Sequence, residues 1–237
     1  MRTGPSSIPR RLAAAGVLCA MITGLLVPSA IAGATDPAAS AAGDAANGYT
    51  RAQELFHEKK YADAVAALDA YVAAHPRDAR AIVLRGDAKA NLGQNAEALK
   101  DYNSAIKIEP EYQYAYVTRC ETRLQLDDTA GALSDCDNAV RLDTTDALAY
   151  EDRGDVHFSR EAYALALSDY DKAVQLGRSS AYLFGARCDA ERLVGKRDLA
   201  RTDCEKSLSL EAEFRRAGLF LARVGSVEEG AGVVLEP

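Results

Sequence analysis

A spacing of 34 residues governs most of this 237-residue chain. The segment Ala79 to Tyr112, ARAIVLRGDAKANLGQNAEALKDYNSAIKIEPEY, slides along the sequence by that interval without a gap. Gly86 then falls on Ala52, Cys120, Gly154 and Cys188, and Ala98 falls on Ala64, Ala132, Ala166 and Ala200. Five copies fit, from Ala45 to about Phe214. Within each copy apolar residues recur at three- and four-residue spacing in two runs parted by a short polar break, as an antiparallel helix pair requires. The unit is helix, turn, helix, and the fold class it predicts is all-α.

With Ala79 as position 1, glycine stands at positions 8 and 15 (Gly86, Gly93), alanine at 20 and 27 (Ala98, Ala105), tyrosine at 24 (Tyr102) and proline at 32 (Pro110). This arrangement resembles the tetratricopeptide repeat family, whose unit has this length, small residues at fixed places and a proline near its end. Position 20 is alanine in all five copies, and position 27 is Ala105, Ala139, Ala173 and Ser207, departing at Tyr71. Small residues there let paired helices approach closely. The proline survives as Pro76 and Pro110 and is replaced by Thr144, Arg178 and Ala212. The resemblance implies a right-handed α-solenoid of five repeats, 45–78, 79–112, 113–146, 147–180 and 181–214, forming one domain over 45–224. A capping helix is expected over 213–224, with Phe214, Ala217, Leu221 and Ala222 on the apolar face of the last repeat, because a stack of repeats needs a cap.

Residues 1–34 stand outside the repeats. Arg2, Arg10 and Arg11 precede an apolar run from Leu12 to Val27, Pro28 ends it, and SAIAGA offers cleavage sites after Ala32 or Ala34. That order predicts a secretory signal peptide; the run is shorter than the ~20 residues of a membrane span, so a membrane association is expected only if the segment stays uncleaved. A periplasmic or secreted location follows as an expectation. Residues 35–44 read as a flexible alanine-rich linker and 225–237 as a frayed tail. Cleavage would remove three arginines and no acid, making the mature chain more acidic than the net charge of −7 of the full sequence. Nucleic acid, bound through basic residues, is therefore an unsuitable partner.

No metalloprotease, nucleophile-elbow, phosphate-loop or dinucleotide motif is present. The three histidines, His57, His75 and His157, have no companions at a useful spacing, and His157 takes the packing position 11. No catalytic activity, cofactor or metal is expected. Arginine fills position 7 in every copy (Arg51, Arg85, Arg119, Arg153, Arg187) and aspartate fills position 23 in four (Asp101, Asp135, Asp169, Asp203). An Arg to Asp bridge between helices is the natural reading, either within a repeat or between neighbours.

The resemblance further implies a protein or peptide ligand held on a concave groove at positions 2, 5, 9, 12 and 13. Position 9 reads Gln53, Asp87, Glu121, Asp155 and Asp189, an acidic column flanked by Tyr49, Phe56, Tyr114, Phe158 and Tyr182. Glu151 adds to the acids, against Arg80 and Arg192. The expected partner is basic with apolar anchors, and the lysine and asparagine clamp with which some family members hold a chaperone tail is missing. Two other readings stand beside this scaffold: a thiol redox or metal protein using its cysteines, and an accessory subunit that activates an envelope enzyme.

Positions 8 and 24 vary as a pair: Ala52 with Leu68, Gly86 with Tyr102, Cys120 with Cys136, Gly154 with Tyr170, Cys188 with Cys204. Glycine on the first helix goes with a large ring on the second, and cysteine appears at both or neither, as side chains sharing one space would demand. Two disulfides are expected, Cys120 to Cys136 and Cys188 to Cys204, in the oxidising compartment that export implies.

Overall fold

The structure, a computed structural model, describes residues 48–212. The expected signal segment, linker, capping helix and tail lie outside the described residues. Helix follows helix at the sequence period: α1 (residues 48–57), α2 (Tyr61–Ala74), α3 (Ala79–Asn91), α4 (Asn95–Ile108), α5 (Gln113–Gln125), α6 (Thr129–Leu142), α7 (Ala147–Ser159), α8 (Tyr163–Gln175), α9 (Ala181–Leu193) and α10 (residues 197–212). No strand occurs among the described residues. The fold is the expected all-α array of helical hairpins.

Local chemistry sets the helix ends. Asp78, Asp146 and Ser180, all at position 34, cap α3, α7 and α9 by accepting backbone N–H bonds, which satisfies donors that the first turn leaves open. Each hairpin turn reverses through one left-handed residue at position 15: Lys59 (φ 60°), Gly93 (76°), Asp127 (62°), Glu161 (61°) and Gly195 (84°). Only two of the five are glycine, although a side chain in this region is strained. The neighbouring helices therefore impose the turn where the residue does not favour it.

Two compact units divide the chain between Asp128 and Thr129. In the first, α1 to α5, Ala52, Leu68 and Ala81 form one buried cluster and Leu55, Ala64 and Ala88 another. Each cluster takes one residue from each helix of a hairpin and one from the first helix of the next. A third cluster, around Ala79, Ile82, Val83, Ala98, Tyr102, Ala105 and Ala115, repeats the scheme one hairpin on. The second unit, α6 to α10, buries Ala166, Tyr170 and Ala173 of α8, with Leu183, Ala186 and Ala190 of α9. The alanines at position 20 are all buried, so an added side chain there would hold the helices apart.

The paired variation at positions 8 and 24 has a direct spatial cause. A Cβ built on Gly86 would lie 2.5 Å from Cε1 of Tyr102, and one on Gly154 would lie 2.5 Å from Cε1 of Tyr170. The ring occupies the volume a side chain would need. Cys188 and Cys204, at the same two positions, are joined by a disulfide with Cα atoms 5.5 Å apart. Cys120 and Cys136 are likewise both disulfide-bonded.

Candidate functional site

The Arg and Asp columns form forks. Arg85 donates from Nε and Nη2 to the two carboxylate oxygens of Asp101 (3.0 and 2.6 Å) and from Nη1 to Asp69 (2.9 Å). Arg153 does the same with Asp169 (2.9 and 2.7 Å) and Asp137 (3.1 Å). Arg187 does so with Asp203, through Nε and through Nη2 at 2.8 Å, and with Asp171 (3.1 Å). Both geometries left open by the sequence are thus realised at once: position 7 holds position 23 of its own repeat and position 25 of the repeat before. Arg119 donates to Asn103 at that same position 25 (2.7 Å). The acid or amide column Asp69, Asn103, Asp137 and Asp171 is visible in the sequence and is the signal that would have found the second arm. Arg153 and Arg187 also lie over the rings of Tyr150 and Phe184, each 5.4 Å from the centroid.

The acidic column at position 9 is not a continuous exposed stripe. Asp87 is 8% exposed, and its two oxygens accept from Tyr102 Oη (2.9 Å) and Tyr114 Oη (3.1 Å). Asp155, equally buried, accepts from Tyr170 Oη (2.8 Å) and Tyr182 Oη (2.7 Å). Each aspartate therefore ties the tyrosine at position 24 of its own repeat to the one at position 2 of the next. Asp87 and Asp155, expected on the groove, are thus buried acceptors with one hydroxyl on each carboxylate oxygen. Burial pushes the Asp87 carboxyl up to about 7, against the lowering effect of the two hydroxyls. It also raises Tyr114 well above the usual phenol range.

Two further groove candidates are buried: Glu151 is fully buried and paired with Arg178, and Phe158 is buried edge-on against Tyr163 at 5.2 Å. Glu121 and Asp189, at position 9 of the cysteine-bearing repeats, are partly exposed. Those repeats have cysteine instead of tyrosine at position 24, so the hydroxyl that draws Asp87 and Asp155 inward is lacking. Asp189 faces Arg192 at 3.4 Å.

In the first unit half-buried rings of the first helices pair with rings on α2 or just before α5. Tyr49 lies 5.5 Å from Tyr71, Tyr112 lies 6.3 Å from Tyr114, and Phe56 packs edge-on against Tyr61 at 5.3 Å. The field of Arg80 reaches both Tyr49 and Tyr112, and burial raises both phenols, that of Tyr112 to about 12. Tyr112 escapes a reading by groove position, because it stands at position 34, before the helix begins. In the second unit Tyr182 is half-buried through its bond to Asp155.

Glu191 escapes it as well. Position 11 carries Lys89, bonded to Asp101 at 2.8 Å, and His157, 3.7 Å from Asp169, but in the fifth repeat it carries an acid. Glu191 is 4% exposed, and burial and then the charge of Asp203 push its carboxyl up to about 7. Because the folded-state value lies above the ordinary 4.5, protonated Glu191 favours the fold. That contribution is complete below about pH 4.5 and is lost as pH rises through about 7. Arg187 and Lys196 oppose the shift, and Asp171 adds to it. Glu191→Gln is therefore expected to stabilise the protein by about 1–2 kcal/mol at pH 8 and by little at pH 4.5. Urea unfolding of both proteins at the two pH values checks this; an equal difference at both would rule out the buried charge as its cause.

Among the described residues no group of His, Cys, Asp and Glu side chains is placed to hold a metal ion, and no helix is long and apolar enough to cross a membrane.

Hairpins of two helices, repeated at one period and joined by Arg and Asp forks from repeat to repeat, define a helical-hairpin repeat protein. The chain belongs to the tetratricopeptide repeat family, whose model matches residues 49–113 and 121–181. No curated protein matches it in sequence. Solved structures share the fold. MamA residues 41 to the end from Desulfovibrio magneticus RS-1 superimposes with a TM-score of 0.63 at 20% identity, covering 71% of this chain and 96% of that one. TTC0263, a thermophilic protein of the same repeat class from Thermus thermophilus, gives 0.61 at 19%, covering 75% and 99%. A chain of the APC/C hetero-tetramer Cut9-Hcn1 gives 0.65 at 17%, covering 71% of this chain and 34% of that one.

Proposed function

We propose that this protein is a non-catalytic scaffold, exported to the cell envelope or beyond, that binds a protein or peptide partner on the first-helix face of its N-terminal unit. The observation that carries this is the set of tyrosine rings on that face, with Tyr114 fixed through its hydroxyl to Asp87. A ring so held offers apolar area without the entropy cost of ordering it on binding. The Cut9-Hcn1 hetero-tetramer is an instance in which a similar fold assembles with another protein. The order of arginines, apolar run and small residues in 1–34, which reads as an export signal, supports the location.

The partner this face fits presents apolar or aromatic anchors. A preference for basic residues on this face rests on Glu121, since Asp87 is buried. Affinity should therefore depend more on rings than on charge. Replacing Tyr49 and Tyr112 by serine is expected to weaken binding of a partner captured from envelope extract by about tenfold or more. Glu121→Gln should change it by less than about threefold, as a partly exposed charge does. Unaltered affinity in the tyrosine variant, with helicity preserved, would move the binding surface away from this face.

A further inference from the structure

Arg80 stands on α3 between two groups of rings. Its neighbour Ala81 is buried in the cluster against which Tyr49 and Tyr71 pack, and its other neighbour, Ala79, is buried in the cluster against which Tyr112 and Tyr114 pack. Arg80 is exposed, Tyr49 and Tyr112 are half-buried, and the charge of Arg80 acts on both phenols. The phenol of Tyr112 also feels that of Tyr49, so the three polar groups converge on one place.

What these groups share is a donor without an acceptor. Among the described residues the Arg80 side chain makes no hydrogen bond or ion pair, and neither Tyr49 nor Tyr112 bonds through its hydroxyl. Other tyrosines of this unit do: Tyr71 donates to Asp78 at 3.1 Å, Tyr102 and Tyr114 donate to Asp87, and Tyr116 donates to the Pro110 carbonyl at 3.0 Å. A phenol removed from water usually finds such a partner. Three acids, Asp78, Asp87 and Glu109, lie within the field of Tyr49 or Tyr112. Asp78 accepts from the backbone of Arg80 and Ala81 and from Tyr71, Asp87 accepts from its two tyrosines, and Glu109 is exposed.

We propose that Arg80, Tyr49 and Tyr112 form a subsite for the carboxylate of a glutamate or aspartate side chain in the partner segment. The inference rests on the reading of this face as the binding surface and names what the partner presents there. A guanidinium offers paired N–H donors in the plane that a carboxylate accepts, and each phenol adds an O–H donor. The acid belongs to the middle of a segment. Rings stand on both sides of Arg80, so a chain laid across this face continues past the guanidinium to use them. A C-terminal carboxylate seated there would leave one side bare. The acids in the surrounding field keep the preference moderate.

The test uses the full chain, labelled for NMR, and short peptide probes. The first probe carries glutamate between phenylalanine and leucine and has both ends blocked. The second replaces that glutamate by glutamine, and the third is the glutamine peptide with a free C-terminus. The glutamate probe should bind at least ~5-fold more tightly than the blocked glutamine probe, with the largest shifts at Arg80 Nε and the rings of Tyr49 and Tyr112. Arg80→Gln should abolish this preference, and added salt should reduce it. Tyr49→Phe with Tyr112→Phe removes the hydroxyls and keeps the rings. It should lower the preference by about twofold or more and leave the affinity for the glutamine probe unchanged. Equal binding of the two blocked probes would overturn the carboxylate subsite and leave the aromatic face standing. Tighter binding of the third probe than of the first would overturn the assignment to an internal acid. Shifts from none of the probes at millimolar concentration would overturn the face itself, and the subsite with it.

Discussion

Gly154→Cys is expected to destabilise the protein by about 3 kcal/mol, at the upper end of the range for overpacking a well-filled core. The new Cβ would sit 2.5 Å from Cε1 and 2.7 Å from Cδ1 of Tyr170, which is completely buried. The ring cannot swing aside freely, since its hydroxyl donates to Asp155 at 2.8 Å and leaving would take one of two tyrosine donors from a buried carboxylate. The rescue separates this mechanism from general intolerance. Adding Tyr170→Cys rebuilds at the fourth repeat the pair that Cys188 and Cys204 form at the fifth, and closing a loop of this length is worth roughly 3 kcal/mol in the chain-entropy estimate. Under oxidising conditions the double variant should recover at least half of the loss, as read from urea midpoints. A single variant as stable as the parent, or an oxidised double variant no better than the single, would mean that the two positions do not compete for one space.

Arg153→Met is expected to cost a similar amount, about 3 kcal/mol, because it removes both hydrogen bonds to Asp169 and leaves that buried carboxylate without its strong partner. His157, 3.7 Å away, remains beside it, and burial lowers the pKa of that imidazole, which disfavours its charged form. The link to Asp137 of the preceding repeat goes as well. The equivalent change at Arg85 should cost clearly less, since Lys89 holds Asp101 at 2.8 Å. Pairing Arg153→Met with Asp169→Asn should return much of the loss, giving a coupling energy above ~1 kcal/mol in the four-variant cycle. Additive effects of the two changes would show that the fork is incidental to stability.

These two experiments probe the features most legible in the sequence. A gapless period with alanine always at position 20 demanded stacked helix pairs, because no other packing explains a small residue at one register through five copies. The Gly with Tyr and Cys with Cys exchange at positions 8 and 24 by itself names a shared volume. The Arg and Asp columns announced a bridge, since two opposite charges held at constant spacing in four repeats have few other uses.

What escaped the sequence was which way a side chain turns. Position 9 looks like one acidic column, yet Asp87 and Asp155 point inward and Glu121 and Asp189 remain at the surface. The difference comes from groups at positions 24 and 2 of neighbouring repeats, which lie 15 and 27 residues away, and a hydroxyl there converts a solvated acid into a buried acceptor. The two arms of each arginine were undecidable for a similar reason, since the partners stand 16 residues away on either side and only stacking shows that both are in reach. Period, pairing and charge columns are properties of the repeat and were determined by sequence alone; burial belongs to the contacts between repeats, and only the tertiary structure decided it.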